Sequence, residues 1–377
     1  MKKLILACLV AMAVVSCGKT NKGTVFYSAS DFDTVVDGKK VALYTLTNAN
    51  GMTAQITNYG GHVAGLWVPS KDGSLKDVVV GYPTIKAFFD PNNTYGGPII
   101  GRYANRIAKG KYSIDGTEYS IAINNGENAL HGGLVNYSQR VWDARPFKTD
   151  AGEDALELKY LSPAGEEGFP GNLSITVVYT ITNNNELAID YKAATDAPTI
   201  INLTNHSYFN LHGDRKQSSN SHLMTINADT YTVTDTGLVP TGEIVTVGGT
   251  ALDFRQPQTV GSRVLSNDPI FHDRNGYDHN YVIKGGQTGA VTFAAEVYEP
   301  ATGIDMKMTT TTPGVQFYSG NSRLPQDVQS PYYASFVCLE AQNYPDAPNH
   351  DDFPSALLRP GETYTQTTVY AFSVKNL

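Results

Sequence analysis

The sequence predicts an all-β chain built as a single large antiparallel β-sandwich, and three observations carry that reading. Apolar and polar residues alternate at period two rather than at the 3.6 of a helix. Turn-forming pairs punctuate the alternating runs, and no segment keeps a helical stripe over three turns. Strands this numerous, with few helices to cover them, bury their apolar faces against one another, which produces stacked sheets.

Taken in order, the first element is a processing signal. Lys2 and Lys3 give a positive start, residues 4–15 are apolar but too short to cross a bilayer, and Val14-Val15-Ser16-Cys17 sets a small residue before a cysteine, like a bacterial lipobox. Residues 1–16 are expected to be removed as a lipoprotein signal peptide, with Cys17 becoming the lipid-modified first residue. The competing reading is an ordinary cleaved signal peptide. Residues 17–23 have the composition of a flexible tether, and 24–377 form the folded domain. The expected location is the bacterial cell envelope, facing the periplasm or on the cell surface, held to the membrane only by acyl chains.

Strands are predicted at 53–58, 62–68, 77–81, 155–161, 173–181, 187–193, 291–298, 304–311, 335–340 and 364–372. Asn50-Gly51, Asp72-Gly73, Asp115-Gly116 and Asn183-Asn184-Asn185 supply turns between them. The helical candidates, such as 84–88, are short. Neither a repeat nor a low-complexity linker divides the chain, so one domain is expected. Residues 247–268 and 346–354 carry no assignable motif.

Composition narrows the function. The formal charge is −8, and removal of Lys2 and Lys3 with the leader makes it −10, which opposes a nucleic-acid surface. The 23 Tyr and 14 Phe suit a sugar site, where rings pack on C–H faces and hydroxyls make hydrogen bonds. Of 3 Cys, Cys8 leaves with the leader and Cys17 carries lipid, so Cys338 remains alone and reads as a buried small hydrophobe. His272-Asp273, Asp278-His279 and His350-Asp351-Asp352 lack the ligand spacing of zinc or calcium sites. No metal or cofactor is expected; a structural cation such as calcium is compatible with the composition but not indicated. A monomer or weak dimer is expected.

Two stretches carry the chemistry. Thr204-Asn205-His206-Ser207-Tyr208-Phe209-Asn210-Leu211 sets a histidine among polar and aromatic residues, and Cys338-Leu339-Glu340-Ala341-Gln342-Asn343 ends an apolar run on a lone carboxylate. Histidine and glutamate are suited to moving protons near neutral pH. The expectation is that folding sets them on opposite sides of one pocket. With residues 101–110 (Gly-Arg-Tyr-Ala-Asn-Arg-Ile-Ala-Lys-Gly), Leu130-His131-Gly132-Gly133, Tyr277-Asp278-His279-Asn280-Tyr281 and residues 313–318 (Pro-Gly-Val-Gln-Phe-Tyr), these stretches resemble the aldose 1-epimerase (galactose mutarotase) family, in the family's motif order from about residue 24 onward.

That resemblance implies the large mutarotase-type sandwich, with the site in a cleft on one sheet. It implies a reaction in which α and β anomers of a free hexose such as galactose or glucose interconvert by ring opening, bond rotation and closure. It places Glu340 as the base at the anomeric hydroxyl, His206 as the acid at the ring oxygen and His131 beside that oxygen. Asn105 and Arg106 bring an amide and a guanidinium to adjacent hydroxyls. Asp278 accepts from hydroxyls, Gln316 points into the cleft while Val315 and Phe317 face away, and Tyr208 shares the sheet face of His206. Arg102 and His279 read as structural. Two other readings stand beside this one: a glycoside hydrolase using Glu340 with Asp278, and a non-catalytic carbohydrate-binding lipoprotein.

Overall fold

Three antiparallel sheets hold most of the strand residues in the computed structural model, which describes residues 24–90, 95–264, 268–271, 276–320 and 336–375. The predicted leader, Cys17 and the tether lie outside the described residues, as do His272 and Asp273. The largest sheet has nine strands in the order Asp143–Lys148, Asp154–Ser162, Leu173–Thr182, Glu186–Thr195, Tyr364–Val374, Ile304–Thr310, Thr292–Tyr298, Leu223–Ile226 and Gln258–Thr259. A six-stranded sheet runs Tyr208–Phe209, Val337–Gln342, Gly314–Tyr318, Asp278–Ile283, Ala228–Thr234, Pro240–Thr246. A four-stranded sheet runs Leu43–Thr47, Thr53–Thr57, Val63–Pro69, Leu75–Asp77.

The period-two pattern explains the layering. In Leu173–Thr182 the residues Leu173, Ile175, Val177, Tyr179 and Ile181 are buried, and the facing register positions Leu187, Ile189, Tyr191 and Ala193 of Glu186–Thr195 are buried with them. These side chains join Val315, Phe317, Val337, Leu339 and Ala341 of the six-stranded sheet, and Ile56, Val63 and Leu66 of the four-stranded sheet, in one apolar cluster. Each such aliphatic side chain contributes roughly 1.5–3 kcal/mol by leaving water. The C-terminal strand sits in the middle of the nine-stranded sheet, so its pairing with both Glu186–Thr195 and Ile304–Thr310 joins chain segments far apart in sequence.

Most predicted strands appear within two residues of their expected bounds, and the helix expected at 84–88 is Ile85–Phe88. The run 77–81 is a correction. Its first residue ends Leu75–Asp77, after which Val78 donates to Leu66, Val79 bridges to Phe209 and Val80 donates to the carbonyl of Tyr208. The apolar run Val78-Val79-Val80 reflects a crossing between two sheets rather than a strand in one. Among the described residues of the unassigned segment 247–268, Val247, Leu252, Phe254 and Val260 are buried in the main cluster, and Tyr281 Oη donates to the carbonyl of Leu252 at 3.2 Å. The segment 346–354 braces the loop of Arg106, because Asp346 N–H donates to the carbonyl of Arg106 at 2.9 Å and Asp346 Oδ1 accepts from Ala108 N–H at 3.0 Å.

Candidate active site

Strand Val337–Gln342 is buried on both faces, and that sets the site. Val337, Leu339 and Ala341 enter the core, so Cys338, Glu340 and Gln342 project from the opposite face. Antiparallel register places Gln316 across from Glu340, Asn280 across from Gln316, Asp278 across from Tyr318, and Tyr208 across from Cys338. Residues directly opposite share a face. One sheet surface therefore carries Tyr208, Glu340, Gln342, Gln316, Asn280 and Asp278. A lone carboxylate closing an apolar run is the sequence signature of this arrangement.

Loops bring the remaining groups over that face. The backbone of Asn105 and His131 is left-handed, at φ 62° and 54°, and the two residues exchange hydrogen bonds. His131 N–H donates to the carbonyl of Asn105 at 2.9 Å, and Asn105 N–H donates to His131 Nδ1 at 3.1 Å. Gly132 is required beside them: at φ 90° a Cβ there would fall 2.2 Å from the carbonyl oxygen of Gly101. His206 is fixed by its own backbone, donating to Pro98 and accepting from Gly97.

His206 Nε2 lies 3.5 Å from Glu340 Oε1, with both residues nearly inaccessible at 4% and 2% exposure. The expectation of opposite sides is corrected: the two groups are neighbours. The correction suits the chemistry, because the anomeric hydroxyl oxygen and the ring oxygen are bonded to one carbon. A base and an acid serving both must therefore sit close together. Glu340 Oε2 is buried without a hydrogen-bond partner, a cost tolerated at sites awaiting a ligand donor. Burial, and secondly the Asp278 carboxylate, hold the Glu340 carboxyl well above the usual range, while Arg106 opposes them.

Burial pushes His131 well below the ordinary imidazole value, with His206 and Arg106 adding to the effect, so it is neutral. Its Nδ1 accepts from a backbone N–H, which leaves its proton on Nε2. His131, His206 and Glu340 place ligand-type atoms within 4.8 Å of one another, a spacing that suggests a metal. An Nε2–H has no lone pair for an ion, so His131 is set as a donor rather than a ligand.

The substrate-binding candidates form one polar group. Arg106 Nη2 lies 3.3 Å from Asp278 Oδ2, and Gln316 Nε2 donates to Asp278 Oδ1 at 2.6 Å. Asn105 Oδ1 accepts from Arg106 N–H at 2.9 Å. Tyr208 stacks on Phe336 at 4.0 Å and meets His206 edge-on at 5.0 Å, which braces the imidazole. As expected, Arg102 is structural: fully buried, it donates to the carbonyls of Pro170 and Gly171 and to Ser162 Oγ. His279 is structural too, contacting the carbonyl of Ile270 at 3.0 Å.

Three residues escaped the sequence reading. Tyr95 packs against His131 at 4.9 Å and His206 at 5.7 Å, but its position in a Gly-rich loop gave no signal. Gln342 and Asn280 sit in quoted motifs, and period two from Glu340 and Asp278 puts both on the site face. Cys338 does more than fill space. Its Sγ lies 3.4 Å from His206 Nδ1, and burial, then the nearby Glu340 carboxylate, push the thiol well above its ordinary value.

Comparisons with known proteins identify the family. The family model of aldose 1-epimerase matches residues 42–371. Human galactose mutarotase is 41% identical over 328 residues, covering 86% of this chain and 92% of that protein. Aldose 1-epimerase of Escherichia coli K12 is 35% identical over 341 residues, covering 89% and 96%. Among solved structures, galactose 1-epimerase from Lactobacillus acidophilus superposes with a TM-score of 0.79 at 27% identity, covering 91% of this chain and 97% of that one. An aldose epimerase homologue from C. elegans gives 0.77 at 29% identity, covering 89% and 100%. With a family match across most of its length and relatives above 35% identity, this chain belongs to the aldose 1-epimerase family of isomerases.

Proposed function

We propose that this chain interconverts the α and β anomers of free hexoses such as galactose and glucose, with Glu340 as the base and His206 as the acid. The observation that carries the assignment is the buried 3.5 Å contact between them, with Glu340 Oε2 left without a partner. The anomeric hydroxyl donates to that oxygen and loses its proton to it. The ring oxygen takes a proton from His206 Nε2, the C1–O5 bond breaks, and an open-chain aldehyde forms. Rotation about C1–C2 presents the other carbonyl face, and the reverse transfers close the opposite anomer. The Nε2–H of His131 donates to the charge developing on the ring oxygen. No step calls for a metal or an organic cofactor.

The raised Glu340 value suits this role, since a base poised nearer the working pH both accepts and returns the proton. A glycosidase reading needs Asp278 as the second carboxyl, yet its two oxygens are engaged by Gln316 and Arg106. We also assign a lipid anchor at Cys17 and an envelope location, on the strength of Lys2, Lys3 and Val14-Val15-Ser16-Cys17. Incorporation of a fatty-acid probe, lost in Cys17→Ala, tests that assignment, and unchanged incorporation defeats it. The catalytic roles are tested by polarimetry on freshly dissolved α-galactose or α-glucose. Wild type accelerates mutarotation, and Glu340→Gln and His206→Asn each lose roughly 10²–10⁴-fold. Binding without acceleration in wild type would leave only a sugar-binding role.

A further inference from the structure

Five side chains around Glu340 close a ring of hydrogen bonds: four run in series from Arg106 through Asn105, Gln342 and Gln316 to Asp278, and the fifth joins Arg106 to Asp278 directly. Arg106 has only donors, and Asp278, as a carboxylate, has only acceptors. Because Asp278 accepts, Gln316 must turn Nε2 toward it, at 2.6 Å, which points Gln316 Oε1 the other way. That oxygen accepts from Gln342 Nε2 at 3.4 Å. Gln342 Oε1 is then left to accept from Asn105 Nδ2 at 3.5 Å, and Asn105 Oδ1 accepts from Arg106 Nη1 at 3.4 Å. Arg106 Nη2 returns to Asp278 at 3.3 Å. The ion pair therefore dictates which end of each amide is oxygen and which is nitrogen. Gln342 also donates to Asn280 Oδ1 at 3.1 Å, and Asn280 Nδ2 is buried with no partner.

We propose that Gln342 is a positioning residue for the sugar-binding wall, tying together Asn105 and Gln316, whose orientations the Arg106–Asp278 pair sets, and passing that polarity on to Asn280. It is fully buried, two residues beyond Glu340 on the same face. Gln316 and Asn280 share the sheet face of Glu340, so the donor and acceptor pattern that face offers to a sugar depends on the orientation of Gln342. The inference rests on the mutarotase reading for its kinetic test, but the ring itself is tested by binding.

The decisive variants are Gln342→Glu and Gln342→Met. The carboxylate of Gln342→Glu keeps the shape but donates nothing, so Gln316 Oε1 and Asn280 Oδ1 lose the bonds that Gln342 gives them and face a negative charge instead. Its KM for galactose rises at least tenfold at neutral pH, while kcat changes less than threefold, as expected when ground-state and transition-state binding fall together. Lowering the pH protonates that carboxyl, restores one donor and narrows the KM gap to wild type. Gln342→Met has no ionisable group, so its raised KM relative to wild type stays constant with pH. KM values within twofold of wild type for both variants overturn the proposal, as does a fall in kcat with KM unchanged, or a Gln342→Glu deficit indifferent to pH. If Gln342→Glu does not fold, calorimetric galactose binding to Gln342→Met decides: a tenfold loss supports the relay, and wild-type affinity refutes it. If wild type itself fails to accelerate mutarotation, the enzymatic reading falls, while calorimetry on the same variants still decides the relay.

Discussion

Asp278→Asn and Arg106→Leu remove the two halves of one ion pair, and the site geometry requires them to act on Glu340 in opposite directions. Asp278 holds two bonds, to Gln316 at 2.6 Å and to Arg106 at 3.3 Å. An asparagine offers one acceptor, so one bond becomes a donor facing a donor. Loss of a charge-assisted hydrogen bond costs roughly 1.5–3 kcal/mol; about 2 kcal/mol is expected, a factor of roughly thirty in the folded-to-unfolded ratio. Removing Arg106 leaves an uncompensated carboxylate with 17% of its side chain exposed, near the lower end of the ~3–5 kcal/mol range for a broken buried pair. Both variants are thus destabilised alike. Their pH profiles differ. Asp278 pushes the Glu340 carboxyl up and Arg106 pulls it down. The acid limb of kcat/KM, which reports the base in the free enzyme, moves to lower pH in Asp278→Asn and to higher pH in Arg106→Leu. Polarimetric rates between pH 4 and 9, corrected for the uncatalysed reaction, measure both. Limbs that shift together, or neither shifting, refute the electrostatic account of Glu340.

Three further outcomes follow from the same structure. A carboxyl whose folded value is raised costs stability as pH climbs above its unfolded value, near ~4.5, and costs nothing below it. Glu340→Gln is therefore more resistant to urea than wild type at pH 7, with the difference closing near pH 4; equal midpoints at pH 7 count against the burial argument. Arg102→Met abandons acceptors on Pro170, Gly171, Ser162, Pro163 and Thr199. It loses about 4 kcal/mol, or roughly 8 °C in Tm, by calorimetry; a fall below about 2 °C contradicts the structural role. Gly132→Ala brings a methyl onto the Gly101 carbonyl and strains the φ 90° turn. It lowers Tm and raises the KM for galactose together, because the same turn carries His131; an unchanged KM denies that coupling.

The strands were legible because most of them are half-buried and alternate cleanly. The run 335–340 was readable for a different reason: all six residues of Val337–Gln342 are buried, so a charge inside it had to serve a purpose. The short strands at the site, such as Thr204–Asn205 and Tyr208–Phe209, leave too few residues for a period to show. The crossing at 77–81 mimicked a strand because apolar residues on both sides of it enter neighbouring clusters. Glu340, His206, His131, Asn105, Arg106, Asp278 and Gln316 were found through motifs, and the fold gathers them. Their mutual distances were not legible, since these come from loop closure over more than two hundred residues. Gln342 and Asn280 were within reach of the period-two rule. Tyr95 was not, as a single aromatic beside two glycines carries no pattern.

In the proposed mechanism a carboxyl and an imidazole in contact act as one unit on a single anomeric carbon. Groups acting as a unit are not additive: once either is gone, removing the other costs little more. The direct measurement is the kcat/KM of the Glu340→Gln, His206→Asn double variant beside each single variant, by polarimetry on α-galactose. The double variant is predicted to match the slower single variant within about threefold. Losses that multiply, each group contributing its full factor in the absence of the other, would contradict the account.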